Sequence, residues 1–129
     1  MSYYFAKEVE GDFESTKAIV TEKLKEFGFG VLTEIDIQAT LKKKIDADFH
    51  KYTVLGACNP KMAYQALQAE EHIGLMLPCN VVVQQKSESS KVEVSAINPV
   101  ASMIAIKSDG LGDVAGQVES MLKNFIDSL

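Results

Sequence analysis

Two short segments, each pairing a cysteine with an asparagine beside a proline, carry the residue types best suited to chemistry. The first segment is LGACNP at positions 55–60, and the second is LPCNV at positions 77–81. A thiolate is a nucleophile, a metal ligand and a redox centre, and a carboxamide both donates and accepts hydrogen bonds. The candidate ligand-binding residues are the four in these pairs: Cys58, Asn59, Cys79 and Asn80.

The first pair has a definite local environment. Asn59 followed by Pro60 predicts a helix start, because asparagine caps helices well and proline at the first helical position loses no hydrogen bond. Cys58 then lies just outside a helix N-terminus, where unpaired backbone N–H groups favour a thiolate or another anion. A helix of about 11 residues carries the chain roughly 16 Å away, and residues 71–78 can span up to about 26 Å. The chain is therefore long enough for Cys79 to return to Cys58, although nothing in the sequence requires it.

Three interpretations of the cysteines follow from the sequence. They are buried small hydrophobic residues, a thiolate or redox pair, or the wall of a ligand pocket. A tetrahedral metal site needs two ligands more than the pair supplies, which would have to come from His50, His72 or a second subunit. Neither histidine has the spacing of a metal-binding motif. The sequence therefore identifies neither a metal nor another cofactor.

Glu34 and Asp36 are secondary candidates for a site. Residues two apart in a strand point to the same face, so the two carboxylates could together bind a cation or a basic partner. Asp36 also fits as a helix cap and Glu34 as a solvated charge. The sequence shows no nucleophile beside a base and no phosphate-binding glycine loop, which favours a non-enzymatic protein, with an enzyme acting through the cysteine segments as the open alternative.

The elements that must position these residues follow from hydrophobic periodicity and from capping residues. The pattern predicts strands over residues 3–9, 30–35, 52–57, 81–83 and 92–97. It predicts helices over residues 13–27, 37–45, 60–70, 99–106 and 113–129. The first and last of these helices have one apolar side and one polar side, so each packs on one face only.

This order of elements predicts an α+β fold in a single domain over residues 1–129. We expect one mixed β-sheet of about five strands, with the two long amphipathic helices packed mainly on one face as a two-layer sandwich. A chain of 129 residues is long enough to bury a hydrophobic core. The second face of such a sheet is left uncovered, and this predicts self-association as a homodimer.

The charge and hydropathy of the chain make two classes of partner, nucleic acids and membranes, unfavourable. The 18 acidic and 13 basic residues give a net charge of −5, which works against the phosphate neutralisation that nucleic-acid binding requires. No uninterrupted apolar run reaches the length of a membrane span, and the first residues lack the pattern of a secretory signal. We therefore expect a cytoplasmic protein with free thiols that binds neither nucleic acid nor membranes.

The cysteine segments belong to a longer pattern. Its residues are Tyr52, Leu55 to Pro60, Ala63, Ala66, Leu67, Gly74 to Val81, the segment from Gly28 to Asp36, and Pro99 before an apolar stretch and a terminal helix. The pattern resembles a family catalogued as domain of unknown function number 302, found mostly in bacteria and archaea, and covers nearly the whole chain. The resemblance implies a compact α+β domain that forms a homodimer, and it brings no catalytic residue with it.

These observations favour a homodimeric ligand-binding or regulatory domain. Its small, polar-rimmed pocket would lie near Cys58, Asn59 and Asn80, where the helix N-terminus favours an anionic or carbonyl group. The alternative is cysteine chemistry, either a reversible disulfide between Cys58 and Cys79 or a thiolate that binds metal or reacts with electrophiles.

Overall fold

The computed structural model describes residues 2–106, 108 and 110–129, and within them the chain forms five strands and five α-helices. The strands are β1 (Tyr4–Glu10), β2 (Gly30–Asp36), β3 (Lys51–Cys58), β4 (Cys79–Gln85) and β5 (Lys91–Ile97). The helices are α1 (Phe13–Glu26), α2 (Ile37–Ile45), α3 (Pro60–Ala69), α4 (Pro99–Ser102) and α5 (Leu111–Asp127), and a 3-10 helix (Glu71–Met76) lies between α3 and β4.

All five strands belong to one sheet in the order β1-β5-β4-β3-β2. The α+β class, the number of strands and the antiparallel β4–β5 pair are confirmed. The sheet is antiparallel at each of its four pairings, so it lacks the parallel neighbours of a mixed sheet. The physical reason is that the connections through α2 and α3 return the chain to the end of the sheet that it left, which reverses the direction of the next strand.

One face of the sheet forms the hydrophobic core. Alternate residues of the three central strands point to this face, as the period of two requires. Fully buried positions on the strands are Leu55, Ala57, Val81, Val83, Val92 and Val94. Helices α1 and α5 cover them with Val20, Leu24, Leu122 and Phe125, which are also fully buried. The predicted two-layer arrangement with both long helices on one face is therefore present.

The other face of the sheet is uncovered in the single chain. Tyr52 and Val82 alternate with buried neighbours and point away from the helices, and Tyr4 and Ile97 border the same face. Together with polar neighbours they border a shallow concavity of about 330 Å³. The apolar residues on this face have no covering layer within the described chain.

Several element boundaries differ from the sequence prediction. Helix α4 ends at Ser102, and α5 begins at Leu111 because Gly110 takes a left-handed conformation (φ 85°) as its cap. Asp113 lies in the first turn of α5, where a carboxylate is favoured by the helix dipole. The 3-10 helix was not predicted, because its six residues are too few to show a period. Within the described residues, no helix combines the length and apolar content needed to cross a membrane.

Lys7 links the edge strand β1 to the C-terminal end of α5. Its ammonium group donates hydrogen bonds to the carbonyl oxygens of Asp127 (3.3 Å) and Leu129, where a helix lacks partners and its dipole favours a cation. We expect Lys7→Met to lower the free energy of unfolding in urea by about 1 kcal/mol, because the apolar stem stays and the hydrogen bonds are lost.

Lys123→Met is the matched control for that substitution. The Lys123 ammonium pairs with the exposed Asp127 carboxylate at 3.2 Å, and such surface pairs contribute about 0.5 kcal/mol or less. If Lys7→Met destabilised the protein no more than Lys123→Met, the contact between β1 and the end of α5 would not stabilise the fold.

Candidate functional site

The pairing of β3 with β4 determines where the two cysteine segments lie. Ala57 is directly opposite Cys79, and Cys58 is the last residue of β3. Neighbouring strands are about 4.8 Å apart and residues along a strand about 3.4 Å apart, so the two cysteine Cα atoms lie roughly 6 Å from each other. The return of the chain, which the sequence left open, therefore brings both cysteines to one end of the sheet.

The chain makes this return through two helices and a proline. Helix α3 leads away from the sheet, the 3-10 helix follows, and a cis peptide bond joins Leu77 to Pro78 just before β4. Pro78 lies over Gly56 of β3, since a Cβ atom at residue 56 would be only 2.8 Å from the Pro78 ring and would also clash with the Thr33 hydroxyl. Glycine at position 56 is what allows the proline to lie against the central strand.

Both cysteines line a narrow cleft of about 40 Å³ between the ends of β3 and β4 and helices α3 and α5. This volume exceeds the roughly 15 Å³ needed for one water and is far below the roughly 150 Å³ of cavities that accept benzene. The wall is almost entirely apolar, and no charged side chain of the described residues contributes to it. The cleft is therefore suited to one small apolar group.

Residues distant in sequence complete the cleft. Phe29 follows α1, Met103 follows α4, and Val118 lies in α5. Their apolar character indicated core positions, but nothing in their spacing distinguished them from the rest of the core. Only the antiparallel strand order, which the sequence did not specify, brings them next to the cysteines.

Asn59 caps α3 as predicted. Its Oδ1 accepts a hydrogen bond from the backbone N–H of Met62 (3.1 Å), and its Nδ2 lies 3.9 Å from the sulfur of Met121. Gly28, with φ at 87°, passes so close that a Cβ atom there would be 2.8 Å from Asn59 Nδ2. The carboxamide therefore joins the end of α1, the start of α3 and the side of α5.

Asn80 is separated from the other three candidates. Its side chain is exposed on the uncovered side of the sheet and does not border the cleft. It borders a neighbouring surface concavity of about 240 Å³, together with Ser102 and Leu75. The cleft and this concavity are separated by a shared wall, formed by Leu77, Pro78, Cys79, Pro99 and Met103.

The two thiols differ in environment. Both are free, Cys58 is partly exposed and Cys79 is buried. Burial, with a smaller contribution from the nearby Cys58, raises the pKa of Cys79 to about 11. Cys79 is therefore a neutral thiol at physiological pH, while Cys58 lies directly before the helix cap.

The secondary candidates have structural partners. Glu34 pairs with Lys17 of α1 at 3.2 Å, and the Asp36 carboxylate caps α2 by accepting a hydrogen bond from the N–H of Ala39 at 2.9 Å. His50 hydrogen-bonds to a glutamine of β4, away from the cysteines. In the part of the chain that the structure describes, no three histidine, cysteine or carboxylate side chains gather as a metal site would require.

Comparison with known proteins assigns the chain to a family. The sequence model of DUF302, a domain of unknown function, matches residues 5–129. The chain belongs to the DUF302 family. A crystal structure of an uncharacterized conserved protein DUF302 from Bacillus stearothermophilus is similar over 98% of each chain, with 26% identity and a TM-score of 0.89. A comparison with curated proteins found no match. The resemblance drawn from the cysteine segments is confirmed, and the DUF302 assignment names no ligand or reaction.

The raised pKa of Cys79 predicts a stability change in alkali. Below pH 9 this thiol is protonated in both folded and unfolded chains, so it contributes no pH dependence. Between pH 9 and about 11 the unfolded chain releases the proton while the folded chain retains it, and the unfolded state is favoured. Relative to Cys79→Ala, we expect the DUF302 protein to lose on the order of 2 kcal/mol of unfolding free energy across this range.

Urea unfolding at half-unit pH steps measures this difference. The Cys58→Ala variant is the control, and it should keep most of the wild-type dependence because burial, the larger cause, is unchanged. A wild-type curve parallel to that of Cys79→Ala from pH 9 to 11 would show that the Cys79 thiol is solvated in the folded protein.

Proposed function

We propose that this DUF302 protein is a small homodimeric ligand-binding domain whose site lies at the cysteine end of the sheet. The observation that carries the proposal is the apolar cleft beside a larger concavity, with Cys79 and Met103 in the wall between them. Ligand sites typically combine an apolar recess with a few polar groups that fix orientation. Here the cleft supplies the recess, and Asn80 and Ser102 border the concavity.

The lining favours a neutral ligand over the anion expected from the helix start. No charged side chain of the described residues lines the cleft, and the Asn59 carboxamide oxygen already accepts a hydrogen bond as the cap of α3. A small apolar group such as a methyl or ethyl end fits the cleft. A carbonyl or hydroxyl elsewhere on the same molecule fits the concavity, where the exposed Asn80 carboxamide can donate and accept hydrogen bonds.

Xenon is a suitable probe of the cleft, since it enters small dry apolar cavities. In the protein labelled with ¹³C at its methionine methyl groups, we expect saturable shifts of Met62 and Met103 with increasing xenon pressure, because both line the cleft. Ala63→Leu, which places a larger side chain in the wall, should abolish these shifts. Ala39→Leu on the exposed side of α2 should preserve them.

A second arm of this experiment probes the concavity. Short aliphatic amides should raise the thermal unfolding temperature of the wild type, and Asn80→Ala should reduce the increase. Wild-type protein that shows neither saturable xenon shifts nor stabilisation by any such amide would argue that the cleft is a packing defect of the core.

The uncovered sheet face supports the dimer. Five strands about 4.8 Å apart, each of about seven residues, make a face of roughly 570 Å². Two such faces packed together hide about 1,100 Å², which exceeds the roughly 1,000 Å² expected of a biological interface. Val82 on the central strand and Tyr52 on its neighbour β3 are of the apolar and aromatic types that dominate interface centres. Asn80, the second residue of β4, borders this face at its cysteine end, so in this dimer its carboxamide lies at the polar rim.

Val82→Glu tests this dimer. A carboxylate at the centre of the sheet face would be buried without a partner in the dimer, so we expect the variant to be a monomer while the wild type has twice the 14.1 kDa chain mass. Ile19→Glu, at an exposed position of α1 on the helical side, should remain a dimer. Light scattering at micromolar concentration separates these outcomes, and a monomeric wild type contradicts the proposal.

Cysteine chemistry is the second candidate function, and one observation favours it. Both cysteines line the same cleft, and Cys58 is partly exposed whereas Cys79 is buried. The metal-binding version has less support, because the described residues around the cysteines supply no third ligand. Of the cysteine functions, exchange with a disulfide is the one that two neighbouring thiols can complete within a single chain.

A further inference from the structure

We infer that Cys58 and Cys79 carry out thiol–disulfide exchange with low-molecular-weight disulfides, with Cys58 making the first attack and Cys79 closing an intramolecular bond. The inference rests on the cysteine-based candidate function, and its test requires neither the ligand nor the dimer. It assigns a different role to each thiol.

The backbone geometry permits the bond. Disulfides join residues whose Cα atoms are about 4.4 to 6.8 Å apart, and the strand register places these two roughly 6 Å apart. Successive side chains of a strand point to opposite faces, but β3 ends at Cys58, both cysteines line the same cleft, and Cys58 is near enough to contribute to the raised pKa of Cys79. The separation of the Cα atoms therefore lies within the range that a disulfide spans.

The order of the two steps follows from access. Cys58 is partly exposed and directly precedes Asn59, the cap of the ten-residue helix α3, so a disulfide in solution can reach it. Cys79 is only 9% exposed and is part of the apolar wall of the cleft. An external disulfide therefore meets Cys58 first, and Cys79 can react only with a sulfur already bound at Cys58.

The exchange consists of two thiolate displacements in which atoms and electrons balance. The Cys58 thiolate attacks one sulfur of the external disulfide, whose S–S bond breaks, and the first small thiolate leaves and takes up a proton. Cys79 loses its proton to water and attacks the Cys58 sulfur, which forms the internal S–S bond and releases the second small thiolate. The protein loses two electrons and two protons, and the external disulfide is reduced to two thiols.

The second step should be slow at neutral pH and faster in alkali. With its pKa raised to about 11 by burial, only about one Cys79 in ten thousand is a thiolate at pH 7. The other titratable group that lines the cleft is Cys58, which carries no charge once it forms the mixed disulfide. Burial then acts alone on Cys79, and closure should accelerate nearly tenfold per pH unit between pH 7 and 9.

Glutathione disulfide is the probe for the experiment. The native protein is incubated with it, quenched in acid, treated with N-ethylmaleimide under denaturing conditions and weighed by intact mass spectrometry. We expect the wild type to pass through a single glutathione adduct to a form that lacks two hydrogens and takes up no maleimide. Dithiothreitol should reverse the change.

Two variants separate the roles. Cys79→Ala should stop at the single adduct, and Cys58→Ala should remain unmodified over the same time. Adducts on both cysteines, or a wild-type adduct that does not close even at pH 9, would overturn the paired mechanism while leaving Cys58 reactive. Absence of any wild-type adduct would remove both this inference and the cysteine-based function, and xenon binding and the dimer would be unaffected.

Discussion

The antiparallel register of β3 and β4 is the constraint on which the candidate site depends. Ala57 opposite Cys79 fixes both cysteines at one end of the sheet, and the same pairing brings the start of α3 beside the start of β4. A shift of one residue would move every side chain of β4 to the other face, so the buried valines of that strand hold the register. The hydrophobic core and the cleft are therefore set by the same hydrogen bonds.

Polar groups at this end of the sheet mainly hold the scaffold together. Asn59 caps α3, Asp36 caps α2, and Gly28 and Gly56 each allow a neighbouring side chain to approach too closely for any other residue. These residue types attracted attention in the sequence because they also serve binding sites. In the structure their hydrogen-bonding capacity is directed largely at the backbone, which leaves the cleft apolar and the thiols as its most reactive groups.

Hydrophobic periodicity and capping residues predicted most helices and strands. These local signals contain no information about which strands pair with each other. The predicted caps at Asp36 and Asn59 are both present, since each depends only on a side chain and the next three residues. Strand order depends on where the chain goes after each helix, and the six-residue 3-10 helix that directs it toward β4 has no periodic signal. The sequence could therefore identify Cys58 and Cys79 as candidates. It could not predict the cleft that they line, or that Asn80 lies outside this cleft.

The apolar lining of the cleft connects its two candidate functions and sets them against each other. An apolar wall favours the entry of a small apolar group, and the same wall holds Cys79 as a protonated thiol. Closure of a disulfide needs water near Cys79 to accept its proton, and a group seated in so small a cleft excludes that water. Occupancy and oxidation then compete for one space, because the cleft at about 40 Å³ cannot hold both a ligand and the solvent that the second displacement requires.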